Sequence, residues 1–256
     1  MNESLLISSQ GRIRRLTLNR PDKRNALDMT LCRSLLDAIR EAASDRTVGA
    51  ILLDANGKDF CSGMDLTEAL ETDPDEMLPL HQELFSIGAQ LCKPMVSAVQ
   101  GAAVAGGLGL TLNAHVVVAS SDARFGLPEV RIGLWPYVIV PVVAAAIGLR
   151  KTTELALTAR MVDADEACRM GIADVVVEPG TLHKRASRVA LDLADGSVTA
   201  IEQGLSFAQQ VVGLDSVAAA KLARRFRRGA HGSADFREGV LAFRQKRKPE
   251  WPSHRG

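Results

Sequence analysis

This sequence predicts an α/β fold with a parallel sheet that runs into a helical C-terminal region. Three observations carry that expectation. Short apolar runs at 48–53, 95–99 and 116–119 read as buried strands and alternate with helix-period segments. From Pro136 onward the pattern is almost wholly helical. Glycine-rich loops at 61–66 and 101–109 follow two of the buried runs.

In chain order, 13–18 mixes apolar and polar residues as a half-buried strand does, and the turn residues 19–22 end it. Asp28 or Thr30 caps a helix whose apolar face is Leu31, Leu35, Ile39 and Ala42. The strand at 48–53 leads into a loop at 55–62, and 74–91 is a second helix. After the strand at 95–99, a helix continues through 108–113, and 116–119 is again a strand. Helices are then expected at 138–147, 151–158, 164–170, 182–193, 198–212, 217–228 and 234–246, with one strand at 174–177. The natural division is an α/β core over 1–195 and a helical region over 196–256, joined without a linker-like or low-complexity run.

With 46% apolar and 24% charged residues, the 256-residue chain can bury a sizeable core as one large domain or a domain with an appendage. A net charge of +1 removes any global electrostatic case for nucleic acid or an anionic membrane. Cys32, Cys61, Cys92 and Cys168 show neither metal-ligand nor disulfide spacing, so no metal is expected and a reducing cytoplasm is the simplest setting. The first ten residues lack the pattern of a signal peptide. The most apolar stretch, 137–147, is too short to span a bilayer; it reads as a buried helix, with Pro141 tolerated in the first turn.

Three segments depart from plain core-and-surface patterning: 60–66 (FCSGMDL), 101–109 (GAAVAGGLG), and 125–129 (FGLPE) followed by Gly133, Leu134, Trp135 and Pro136. A helix that starts at Gly106 or Gly107 exposes N–H groups without internal partners, at the positive end of its dipole. Pairing such a group with the N–H of Met64 would stabilise an oxygen gaining negative charge. Chemistry alone leaves open whether that oxygen belongs to a phosphate, a carboxylate or a thioester. No nucleotide-binding glycine fingerprint occurs.

Together with 19–27, 93–110 and the tail 238–251, these segments resemble the crotonase superfamily, the enoyl-CoA hydratase/isomerase family, in order along nearly the whole chain. The resemblance implies a spiral of strand-strand-helix units and a homotrimer or dimer of trimers. It implies an acyl-CoA thioester substrate, with coenzyme A as part of the substrate and no separate cofactor. Met64 and Gly106 match the two oxyanion donors, and Glu129 matches a catalytic glutamate. Coenzyme A is expected near Asn25, Ala26 and Leu27 and the loop of Cys61, Ser62 and Gly63, beside Gly107, with Lys23 and Arg24 as candidates for its phosphates. Phe243 and Lys248, on the last helix, are expected to help cover it, from the same or a neighbouring subunit.

One departure stands out. The two-glutamate hydratases of that family carry a second glutamate three residues after the second oxyanion glycine, where this chain has Gly109. One base suffices to move a proton between carbons, so the enolate machinery looks more complete than the water machinery. Double-bond isomerisation or slow hydration is the expected activity. Thioester hydrolysis, decarboxylation, carbon–carbon bond chemistry and a non-catalytic scaffold role are the alternatives.

Among the remaining residues, Asp65 is expected to brace its loop, and Trp135 and Tyr137 to line the acyl pocket or the core. His115 reads as structural, His81 as lying on a solvated helix face with the acyl pocket as the alternative, and Cys61 as a poor nucleophile. The arginines at 224, 225, 227 and 228 read as a solvated or subunit-contact face.

Overall fold

The computed structural model describes residues 3–254, so the two outermost positions at each end of the expected domains lie outside it. Its larger sheet has six strands in the order β1-β2-β3-β4-β6-β9. The strands are β1 (Leu5–Gln10), β2 (Ile13–Leu18), β3 (Ala50–Ala55), β4 (Met95–Val99), β6 (Val116–Ser120) and β9 (Val175–Val177). Only β1 and β2 pair antiparallel, as a hairpin; every later pairing in this sheet is parallel. A smaller sheet holds β5 (Ala102–Val104), β7 (Arg124–Gly126) and β8 (Met161–Asp163).

The helices are α1 (Met29–Ser44), α2 (Leu66–Ala69), α3 (Pro74–Ser86), α4 (Gly106–Leu112), α5 (Val140–Ile147), α6 (Leu149–Thr158), α7 (Ala164–Met170), α8 (Leu182–Ala194), α9 (Val198–Val211), α10 (Ser216–Gly232) and α11 (Ala234–Gln245). The chain repeatedly places one strand in the large sheet and the next in the small one before turning into a helix. Thus β4 and β5 precede α4, and β6 and β7 precede α5. An isolated bridge at Cys61 plays the part of the second strand between β3 and α2. This is the spiral of strand-strand-helix units.

Alternation along the buried strands feeds two cores. Leu16, Ile51, Leu53, Met95 and Val99 pack with Leu31, Leu35 and Ile39 of α1. On the opposite face Ile13, Ala50, Leu52, Val96 and Ala98 meet Leu182, Ala186, Ala190 and Ala194 of α8. A parallel sheet covered on both faces requires such continuous apolar strands. The approach of α8 is close: a Cβ on Gly49 would fall 2.9 Å from Ala194. Asp28 is the α1 cap, accepting from the N–H of Leu31 at 2.7 Å. Fully buried Asp54 on β3 accepts from Arg15 Nε at 2.7 Å and Thr17 Oγ1 at 2.6 Å, and lies 3.3 Å from His183 Nδ1 on α8.

The helical region after residue 195 is tied to the rest by Gln209 Nε2, which donates to the Leu91 carbonyl, and Trp251 Nε1, which donates to that of Asp195. Among the described residues no helix is long and apolar enough to cross a membrane.

Two expectations need correction. The stretch 137–147 is not a buried helix: α5 begins only at Val140 and buries Val143 alone, while Tyr137 is 74% exposed. It packs against α4 and α6 on one side, so its other apolar face stays uncovered. Pro141 does fall in the first turn. Lys248 is not on the last helix, which ends at Gln245 where Lys246 turns left-handed at φ +53°.

Candidate active site

The register of the small sheet gathers the three unusual segments. Cys61 bridges Ala103, and Ala103 pairs with Phe125, all parallel. Met64 lies three residues beyond Cys61, Gly106 three beyond Ala103, and Glu129 four beyond Phe125. Parallel strands in register carry their next residues to the same end of the sheet, and all three residues line one cleft of about 760 Å³.

Backbone geometry fixes the first two. The N–H of Leu27 donates to the Gly63 carbonyl at 2.8 Å, and the N–H of Asp65 donates to the Leu27 carbonyl at 2.9 Å. This parallel bridge turns the main-chain groups of Met64 away from Leu27, and its N–H has no acceptor among the described residues. Gly106 opens α4, and neither its N–H nor that of Gly107 has a partner among the described residues; Leu108 and Gly109 are the first to donate, both to Ala105. Ala105 itself sits at φ +53°, ψ −125°, a conformation that L residues adopt at a cost of order 1–3 kcal/mol. Its N–H is held by the Gly126 carbonyl at 3.0 Å.

The two loops touch through glycine. A Cβ on Gly63 would lie 2.8 Å from Ala105 Cβ and 3.1 Å from Gly106 N. A Cβ on Gly107 would lie 2.2 Å from the Cys61 carbonyl oxygen. Gly63, Gly107 and Cys61 therefore build the cleft without lining it. Fully buried Asn25 also works behind the wall, donating from Nδ2 to the carbonyls of Asn56 and Asp59, both at 2.9 Å. Ala26, Leu27, Ser62 and Trp135 do line the cleft.

Glu129 is the first residue of a 3-10 turn after Pro128 and is 7% exposed. Its Oε2 has no hydrogen-bond partner among the described residues. Burial pushes the carboxyl up to about 7, against a smaller opposing hydrogen bond from its own N–H. Among the described residues only one other carboxylate lines the cleft, Asp65. Asp65 is committed: it caps α2 through the N–H of Thr67 and pairs with Arg20 Nη2 at 3.0 Å. Burial opposes its ionisation, but the hydrogen bonds from Arg20 and the backbone outweigh it and hold the carboxyl low. Among the described residues, Glu129 is therefore the one carboxylate of the cleft that is not held low by ion pairing.

The space beside Gly109 is filled by carbon. A Cβ there would meet Ile139 Cγ2 at 2.7 Å and Phe85 Cδ1 at 3.0 Å.

At the rim, Arg24 commits its guanidinium to Asp59, Nε to Oδ2 at 2.8 Å, so it is a weaker phosphate candidate than its sequence position implies. Lys23 has no ion-pair partner among the described residues and lines the cleft. Phe243 and Lys248 lie apart from it: Phe243 is 85% exposed in a groove between α9 and α11, and Lys248 lies beside Trp251 and His254. Cys61 is fully buried, and burial pushes its thiol up to about 12, which suits packing rather than attack. His115 is structural, accepting from the N–H of Met95 at 3.1 Å. For His81 the preferred reading is corrected in favour of its alternative: it is not solvated but 6% exposed, and it lines the cleft. Its spacing with Met77, Leu84 and Phe85 on α3 is the apolar-face signal that sequence alone offered.

Comparison with known proteins meets this geometry. The sequence model described as enoyl-CoA hydratase/isomerase matches residues 8–254. The chain belongs to the enoyl-CoA hydratase/isomerase family. Its spiral is that family's crotonase fold, and it is an enzyme of the enoyl-CoA hydratase/isomerase type. A probable enoyl-CoA hydratase of Rhizobium meliloti is 35% identical over 97% of this chain and 98% of its own length. A trans-2-decenoyl-[acyl-carrier-protein] isomerase of Streptococcus mutans is 31% identical over 97% of this chain and 98% of its own. The crystal structure of a putative enoyl CoA hydratase/isomerase (crotonase) from Legionella pneumophila superposes with a TM-score of 0.90, at 31% identity, covering 97% and 98% of the two chains.

Proposed function

We propose that the cleft binds an enoyl-CoA thioester and moves its double bond through an enolate. The thioester oxygen sits between the N–H groups of Met64 and Gly106. The Glu129 carboxylate takes a proton from C2 of a 3-enoyl thioester, and the electron pair moves onto the thioester oxygen. The enolate then collapses, the C2–C3 double bond forms, and Glu129 returns the proton at C4. Atoms and charge balance with one base and no water. The observation that carries this reading is the pair Glu129 and Gly109: one carboxyl poised near 7, its Oε2 without a partner among the described residues, and apolar packing where a second acid would stand. Relatives named as hydratases and as isomerases are both similar to the chain, so the residues must choose between those reactions. An apolar wall at Gly109 offers no anchor for an attacking water, which makes hydration the slower activity.

Lys23, at the cleft rim, is proposed to meet the phosphates of coenzyme A. We extend the proposal to a cytoplasmic homotrimer or dimer of trimers. Its support is that α9 and α10 bury no residue within one subunit, and that Val212, Val217 and Phe243 are exposed. Phe243 and Lys248 then reach the coenzyme A of a neighbour.

The test is Glu129→Gln assayed on matched 3-enoyl-CoA and 2-enoyl-CoA. Isomerisation should fall about 10²–10⁴-fold with acyl-CoA binding retained. Unchanged turnover, or hydration faster than isomerisation in the wild type, overturns the reading.

A further inference from the structure

His81 is a buried titratable group that the proton-transfer scheme leaves unused. It lies on α3 between Met77, one turn before it, and Phe85, one turn after. Its ring is tilted against that of Phe85 with centroids 5.9 Å apart. Phe85 in turn reaches the heart of the site: its Cζ is 3.0 Å from a Cβ built on Gly106, and its Cδ1 is 3.0 Å from one built on Gly109. His81 therefore stands about 6 Å further along the same helix face, four residues at the α-helical rise, on the α3 wall of the cleft.

Both ring nitrogens lack a hydrogen-bond partner among the described residues. The other residues of α3 lining the cleft, Pro74, Met77, Leu78 and Phe85, offer only apolar side chains. A neutral imidazole presents one donor and one acceptor. Against an all-hydrocarbon chain both would be desolvated without compensation, a loss that sites normally avoid by placing carbon there. Burial alone lowers the proton affinity of His81, and no charged group acts on the ring, so nothing nearby would balance a buried ion.

We propose that His81 is a specificity-determining residue that hydrogen-bonds an uncharged oxygen substituent, a hydroxyl or a carbonyl, on the acyl chain a few carbons beyond the thioester. The inference rests on the enolate reading only for where the thioester sits. The substrate class is then an oxygenated enoyl thioester rather than a plain fatty one. A chain ending in a carboxylate would seek a cation, and α3 carries none beside His81.

Equilibrium binding of unreactive saturated acyl-CoA thioesters tests this without turnover. Four probes of equal chain length serve: plain, hydroxyl-bearing, keto-bearing and carboxylate-terminated. By calorimetry the wild type should bind the hydroxyl or keto probe about tenfold or more tightly than the plain one. His81→Leu should bring those affinities to parity, and His81→Gln, which keeps a donor and an acceptor, should retain part of the preference. Thermal melts establish that each variant is folded. No preference in the wild type, tightest binding of the carboxylate probe, or a preference that survives in folded His81→Leu would overturn the proposal. In parallel, Glu129→Gln is assayed on the matched enoyl thioesters. Full turnover there removes the enolate reading, while the binding preference still stands or falls through His81.

Discussion

Ile139 occupies the space that a side chain at position 109 would need: its Cγ2 lies 2.7 Å from where the Cβ of that residue would be. The absence of a second acid is therefore built into the packing and not into one codon.

Gly109→Glu is accordingly expected to fail as a route to hydration. Overpacking should cost about 1–3 kcal/mol of stability, seen as a lower urea midpoint. Gly109→Glu combined with Ile139→Ala should recover part of that loss and raise hydration of 2-enoyl-CoA above the single variant. Efficient hydration by Gly109→Glu alone would show that the wall yields.

Glu129 should leave a signature in both rate and stability. The proposed base works ionised, so kcat/KM for isomerisation should rise with pH and level off above about 7. For stability the direction is opposite. The folded carboxyl holds its proton to about 7, whereas the unfolded one releases it near the ordinary glutamate value of 4.5. Stability is full below the lower value, declines as pH rises between the two, and stays reduced above the higher. Glu129→Gln should therefore be more stable than wild type at about pH 8, by up to about 3 kcal/mol, with the difference vanishing in acid. Chemical unfolding at the two pH extremes measures this, and equal stability of the two proteins on the alkaline side contradicts it.

Gly63 lies at φ +90° with Ala105 and Gly106 against its open face. Gly63→Ala combines backbone strain with a contact that pushes the two donor loops apart. A stability loss of about 1–3 kcal/mol is expected. Turnover should also drop about 10²-fold or more, since a displaced oxyanion donor is worth that factor. A variant that turns over as fast as the wild type would mean that the donors do not depend on this contact.

Asp54 separates fold from chemistry. Its carboxylate serves Arg15, Thr17 and His183 at the α8 side of the sheet. Desolvation opposes its charge, yet the hydrogen bonds from His183, Arg15 and Thr17 prevail and hold its carboxyl low. Asp54→Ala should cost about 1–3 kcal/mol at neutral pH. The cost should shrink as pH falls through the folded carboxyl's value, because protonation removes the same bonds from the wild type. Activity of the folded variant should be unchanged; a specific loss of kcat would place this network in the catalytic machinery.

The longer helices, the buried strands and the short β9 were legible in the sequence, whereas the edge strand and the strands of the small sheet were not. β2 and β4 match the expected 13–18 and 95–99: β2 buries Ile13, Leu16 and Leu18 between polar residues, and β4 is buried throughout. β1 was invisible: its burial is confined to Leu5, and the remainder of the strand is exposed at the sheet edge. β5, β7 and β8 are three residues each, too short for any period to register. Met64, Gly106 and Glu129 were found by motif, but the register that gathers them depends on pairing between distant segments. The direction of His81 and the filling of the space beside Gly109 by Ile139 are likewise tertiary facts. The apolar excess of α5 was visible, but not that one subunit leaves it uncovered.

The clamp of Leu27 on either side of Met64 has a consequence for how this enzyme varies. The groups assigned to the thioester oxygen at Met64 and Gly106 are main-chain atoms, oriented by bonds between other main-chain atoms. An alanine scan through position 64 leaves its amide in place, so the substitution leaves the proposed donor untouched. Natural drift has the same blind spot, and the residue there is free to change with the acyl group it brushes. Only an amide-to-ester replacement of the peptide bond, made by chemical synthesis or suppressor incorporation, deletes the donor itself.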